Sequence, residues 1–147
     1  MAEDDDSKFH ENSDAVQAHL NISQSVIQRM AANSASSKGW CIAITSAILV
    51  LVADKSKSDY ALIALIPILL FLALDSYYLA LEKRFRSSYN EFIDKLHRKG
   101  IDSVDLYAII PTGSAPKAIG AALISFSVWP FYLTLLIMVF IAWKYVV

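Results

Sequence analysis

The sequence predicts an all-α membrane protein. It reads as a long N-terminal cytoplasmic helix, a two-helix membrane hairpin, a cytoplasmic amphipathic helix and a third transmembrane helix. Three observations carry this. The 147 residues are 56% hydrophobic and 18% charged, with mean hydropathy +0.44, where a soluble domain runs near half apolar and a quarter charged. The apolar excess is gathered into three blocks, residues 40–53, 60–81 and 118–143. Between and before the blocks lie helix-period polar stretches rather than the alternation of strands. The 13 Lys+Arg against 14 Asp+Glu leave a net charge of -1, which argues against a globally basic nucleic-acid binder. The single cysteine, Cys41, excludes a disulfide scaffold.

Residues 1–12 read as a disordered acidic tail. The start MAEDDD is acidic where a signal peptide is basic, and no apolar stretch follows it. Residues 13–39 read as a cytoplasmic, coiled-coil-like helix. Ser13 is the expected N-cap and Asp14 complements the first turn. Val16, Leu20, Ile27 and Met30 mark one stripe, with Ser23 and Ser34 filling it, and Gly39 is the expected end.

Residues 40–82 form the expected transmembrane hairpin. Its first apolar run is short, about 21 Å at helical rise, and residues 31–39 are able to extend it if their Ser and Asn side chains face protein or water. The six residues DKSKSD at 54–59 then join two antiparallel helices. The second run carries one charge, Asp75, and ends at Tyr77, Tyr78 and the basic EKRFR sequence. Residues 83–117 read as a cytoplasmic segment. Its amphipathic helix, 87–100, sets Tyr89, Phe92, Ile93 and Leu96 on one face and Glu91, Asp94, Lys95, Arg98 and Lys99 on the other, against the membrane surface or the N-terminal helix. One short turn is expected at 103–108. Residues 118–147 read as the third transmembrane helix, kinked at Pro130 and ended by Trp143, Lys144 and Tyr145. Seven Lys and Arg between the second and third blocks, against three in the hairpin and at the C-terminal end, place the N-terminus in the cytoplasm and the C-terminus outside.

No catalytic constellation is present, and the chain reads as a non-enzyme. His10, His19 and His97 are dispersed, the glycines are isolated, and Arg86 to His97 is too wide for the Arg–His signature of HEPN-type ribonucleases. No cofactor or metal is expected. Asp75 is costly within a membrane helix. Either it anchors the helix at headgroup level with the tyrosines, or it pairs with Arg29 or Lys38 of a packed helix and so has a structural or gating role. Three spans cannot enclose a pore in one chain, so conduction requires several copies around an axis. Ser37, Cys41 and Thr45 share one face of the first span and are the pore-lining candidates, with Leu49 and Val52 as an apolar constriction. The alternative is that these residues pack helix against helix.

The runs QRMAANSASSKGW (28–40) and ALDSYYLALEKRFRSSYNEF (73–92), with the polar helix ahead of a tight hairpin, resemble the small membrane effectors of bacterial anti-phage defence systems. The nucleotidyltransferase-associated type, such as the Hailong membrane channel effectors, is similar in size and layout. The resemblance covers roughly residues 13–100, and the third span departs from the two-span plan. It implies a homotetrameric ion channel of the inner membrane. DNA oligomers made by a partner nucleotidyltransferase would hold the channel shut, and their loss would depolarise the membrane. The oligonucleotide contacts are then expected at Asn21, Gln24, Gln28, Arg29 and Lys38, with Arg84 and Arg86 second. A holin-like lesion protein and a non-conducting scaffold subunit are the alternatives.

Overall fold

The computed structural model describes residues 11–55, 58–98 and 100–145, with Lys55 and Ser58 as backbone only. The acidic tail up to residue 10, Lys57 and Lys99 lie outside the described residues. All regular structure among the described residues is helical: α1 (Asp14–Lys55), a 3-10 helix (Ser58–Ala64), α2 (Leu65–His97), α3 (Ser103–Tyr107), α4 (Ala115–Leu123) and α5 (Trp129–Tyr145).

α1 is one helix of 42 residues, roughly 63 Å long. It does not end at Gly39, as the sequence suggests. A lone glycine weakens a helix by about 1 kcal/mol, and the buried residues on either side, Ser37 and Cys41, hold the chain in register through it. The buried stripe of α1 runs Val16, His19, Ser23, Ile27, Met30, Ser34, Ser37, Cys41, Thr45, Val52, in steps of three and four or their sum. The expected stripe has Leu20 where the structure buries His19.

α2 likewise joins what the sequence divides. The second span and the amphipathic helix are one 33-residue helix, because nothing between Pro67 and Gly100 breaks it. Pro67 lies in the first turn, where its missing N–H is harmless. The chain ahead of it is wound as the 3-10 helix. At the far end the Gly100 N–H donates to the Lys95 carbonyl at 3.0 Å.

α1 and α2 pack antiparallel along their length. Ser34 meets Asp75 and His19 stacks on Phe92, which fixes the register. Two cores result. The larger holds Cys41, Val52, Ala64, Ile68, Leu79, Tyr132 and Val139. The smaller holds Val16, Phe92 and Leu96. The amphipathic part of α2 therefore packs on the N-terminal helix, one of the two positions the sequence allowed.

The third apolar block is not a single helix. α4 and α5 are separated at 124–128, and α5 has 17 residues. Pro130 explains the position of the break. It has no N–H for the Phe126 carbonyl, and its ring crowds that carbonyl. Instead the Ser125 carbonyl accepts from the N–H groups of Val128 (2.9 Å) and Trp129 (3.1 Å). α4 packs on α2, and α5 packs on the 3-10 helix. The Tyr132 hydroxyl donates to the Phe71 carbonyl at 2.9 Å. Two helices, within Asp14–Asp54 and Asp59–His97, are long and apolar enough to cross a membrane, and Trp129–Tyr145 is a shorter apolar helix.

Candidate functional site

A buried polar centre lies where α1 and α2 cross from their polar to their apolar lengths. Asp75 is fully buried. Its Oδ1 accepts from Ser34 Oγ at 2.5 Å, and Lys38 Nζ lies 2.6 Å from Oδ2. The second contact is close but poorly aligned, so it acts as charge pairing rather than as a directed hydrogen bond. Lys38 Nζ also reaches Ser34 Oγ at 3.4 Å. Ser34 and Lys38 stand one turn apart on α1, so both face the same carboxylate. The structure thus buries Asp75 between the helices and gives it Lys38 rather than Arg29 as partner. Ser76 Oγ is buried without a hydrogen-bond partner among the described residues, and Thr45 lies beside the Cys41 thiol one turn away.

The residues expected to line a pore are placed by this packing. Ser37, Cys41, Thr45 and Val52 are buried within the subunit, and Leu49 packs against the same core. Ser37 Oγ donates to the Asn33 carbonyl of its own helix. The burial of the first four is accounted for by helix packing inside one chain, and Leu49 is only partly covered.

The head is the second cluster. His19 Nδ1 is 3.0 Å from the Leu106 carbonyl, and the His19 ring stacks on Phe92 at 4.1 Å between centroids. Lys95 Nζ pairs with Asp105 Oδ1 at 2.8 Å, and the Asp102 N–H donates to Asp105 Oδ2. These contacts fasten α3 across α1 and α2. The Lys95 hydrogen bond holds the Asp105 carboxyl below its ordinary range, and Asp105 in turn holds the Lys95 ammonium above its own. A cleft of about 310 Å³ beside α3 is lined by His19, Glu91, Lys95, Asp105 and Thr112 among others. Its mixed charges do not favour a polyanion.

Of the residues expected to meet an oligonucleotide, Asn21, Gln24, Gln28 and Arg29 are exposed on α1. Asn21, Gln24 and Gln28 share one face, with Arg29 beside Gln28. Arg29 has no ion pair among the described residues. Lys38 and Arg84 do not belong to that surface. Lys38 is turned toward Asp75. Arg84 holds the chain leading into α4, with Nε donating to the Thr112 carbonyl at 3.1 Å and Nη2 to the Pro111 carbonyl at 3.0 Å. Arg86 is exposed and pairs with Glu82 one turn away at 2.7 Å. Sequence reasoning missed the roles of His19 and Arg84. Nothing local marks either, since a basic residue after a membrane helix ordinarily reads as an interfacial anchor. No family model, curated protein or solved structure matches the chain.

Proposed function

We propose that this protein is a homo-oligomeric, ion-conducting membrane effector of the bacterial anti-phage type, multi-pass in the inner membrane. A cytoplasmic oligonucleotide bound at the head controls conduction. The N-terminus and head lie in the cytoplasm and the C-terminus outside. The observation that supports this most is the continuity of α1 and α2. Each runs without a break from the apolar level into the head, so a ligand held at Asn21, Gln24, Gln28 and Arg29 acts directly on the membrane-level helices. The Asp75–Lys38 pair at the junction fixes their register, which is the element such a ligand would bias. Phosphate contact falls chiefly to Arg29, with Arg86 second, and the amides meet bases or sugars.

The test is mass measurement of the purified protein in detergent, followed by planar-bilayer recording with and without short single-stranded DNA. The expected result is an oligomer whose conductance changes on addition of DNA. Arg29→Ala should weaken DNA binding and lower its salt slope by about 1, with helicity unchanged. A stable monomer without conductance, or an oligomer indifferent to DNA, overturns the proposal.

A further inference from the structure

The surface of the molecule changes character at one level, and the break in the third block lies at that level. Lys38 meets Asp75, and the Tyr132 hydroxyl meets the Phe71 carbonyl one turn along α2. Trp40 is two residues beyond Lys38 on α1, and Trp129 is three residues ahead of Tyr132 on α5. At helical rise both tryptophans therefore lie within about 5 Å of the level of Asp75. Both are exposed, by 64% and 47%. Tyr60, Trp143 and Tyr145, also exposed, mark the other end of the bundle, where the 3-10 helix packs on α5. Between the two ends, residues 39–53, 60–74 and 129–143 contain no Asp, Glu, Lys or Arg. Each stretch is roughly 21–25 Å long. The large side chains exposed along them are apolar, among them Ile42, Val50, Leu62, Ile66, Ile137 and Phe140. Three matched charge-free stretches, ended by exposed aromatic rings, form a band for acyl chains with the rings at headgroup level.

The break at 124–128 marks the head-side edge of that band independently. The charge-free run of the third block begins at residue 118, so composition alone would put 118–128 in hydrocarbon as well. The structure places them elsewhere. α4 shares a small hollow with Tyr77, Leu81 and Arg84 of α2, on the head side of Asp75. The residues joining α4 to α5 turn outward, with Ile124 and Phe126 exposed by 78% and 84%. The N–H groups of Phe126 and Ser127 have no acceptor among the described residues. An unpaired N–H is costly in hydrocarbon and is satisfied wherever water reaches it. Non-helical backbone is tolerated at bilayer depth only where protein covers it or it lines a water-filled cavity. Here the chain leaves it uncovered.

We infer that the phospholipid headgroup layer meets this protein along a ring through Trp40, the 124–128 break and Trp129, so that α4 lies outside the hydrocarbon and, of the third block, only α5 crosses it. Ile124 and Phe126 then lie in the interfacial layer, and the Lys38–Asp75 pair sits at the boundary instead of in mid-bilayer. The span expected at 118–147 shrinks to α5. The inference rests on the membrane setting proposed above, and on neither conduction nor the oligonucleotide.

The test uses the full chain in vesicles of phosphatidylcholine and phosphatidylglycerol. Nitroxide labels are attached to Ile124→Cys, Phe126→Cys, Leu133→Cys, Ile137→Cys and Ile141→Cys, all at exposed positions. Native Cys41, which is fully buried, is left in place, with the wild type as blank. Depth is read from the ratio of collision rates with oxygen and with a water-soluble nickel chelate. Labels at 124 and 126 should report the headgroup layer, and the label at 137 the greatest depth. A label at 126 as deep as that at 137, as for a span from 118 to 143, overturns the inference. Phe126→Lys should leave the membrane-bound fraction unchanged, while Ile137→Lys should lower it several-fold. Equal losses from the two also overturn it. If 126 is as deep as 137 while DNA-dependent conductance is retained, this inference fails and the proposed function stands. If the depth profile is as expected and no conductance is seen, the reverse holds. Nickel access at every position, in protein that does not float with the vesicles, ends both.

Discussion

The apolar half and the head hang on the same two helices and differ in what they turn outward and in what polar groups they bury. In the head the outward residues of α1 and α2 are mostly polar, with Ile22 an exception, and the interior is apolar and aromatic: Val16, Phe92 and Leu96, with His19 stacked on the phenyl ring. In the other half the outward residues are themselves apolar, among them Ile42, Val50, Ile66, Leu69, Ile137 and Phe140, and the interior is the larger apolar core with the Asp75 carboxylate and a few hydroxyls set into it. Apolar burial distinguishes inside from outside only where the outside is water. Where the outside is hydrocarbon, a polar group with one available partner sets the register instead. The same helix therefore changes its rule of packing partway along.

The sharpest way to break this comparison is Lys38→Met. It leaves the fully buried Asp75 carboxylate without its counter-charge and should lower stability by about 3–5 kcal/mol, read from unfolding in mixed detergent micelles. Combining Lys38→Met with Asp75→Leu should recover most of the loss. An equally unstable double variant would mean that the pair is not what holds this level. Phe92→Ala tests the other half. It should cost about 3 kcal/mol, and amide exchange should quicken around Val16 and in α3 while the apolar part of α2 keeps its protection. Exchange quickening along the whole of α2 would show that the two halves unfold together.

The smallest effect concerns the fastening of α3. Asp105 titrates below its ordinary value of 3.8 and Lys95 above its ordinary 10.5. The contribution from Asp105 is therefore present above 3.8 and is lost as pH falls through the lower value it has in the folded chain. The contribution from Lys95 is present below 10.5 and is lost as pH rises through its raised value. The Lys95 side chain is 54% exposed and that of Asp105 27%, so solvent screening keeps the effect slight. Amide exchange of α3, corrected for intrinsic rates, should be slowest between those limits, and Asp105→Asn should flatten the profile.

Much of the fold was legible because long apolar blocks and a 3.6-residue period are strong signals. The short helix at 103–107 falls where one short turn is expected at 103–108. The continuity of α1 through Gly39, and of α2 through Ser87, was not. A composition change marks a change of solvent, and that need not coincide with the end of a helix. Pro130 announced a disturbance in the third block, but the break falls in the turn ahead of it, where the carbonyl it crowds lies. At the candidate site, Asp75 drew attention because a carboxylate among apolar residues requires a partner. Which face of α1 was buried was less legible. Ser37, Cys41 and Thr45 suit a water-lined face and a packed helix face equally well, and only the neighbouring helices decide between them.

The interruption ahead of Pro130 bears on the thickness of the surrounding bilayer. α5, with 17 residues, spans about 26 Å against hydrocarbon about 30 Å thick. The apolar run of α2 is longer. A helix that falls short draws the lipid chains inward, at a fraction of a kcal/mol for each Å of mismatch. In the membrane setting proposed above, the bilayer would be dented on the α5 side, and longer-chain lipids would deepen the mismatch. Acyl-chain length would then be a variable that acts on the protein without any bound molecule.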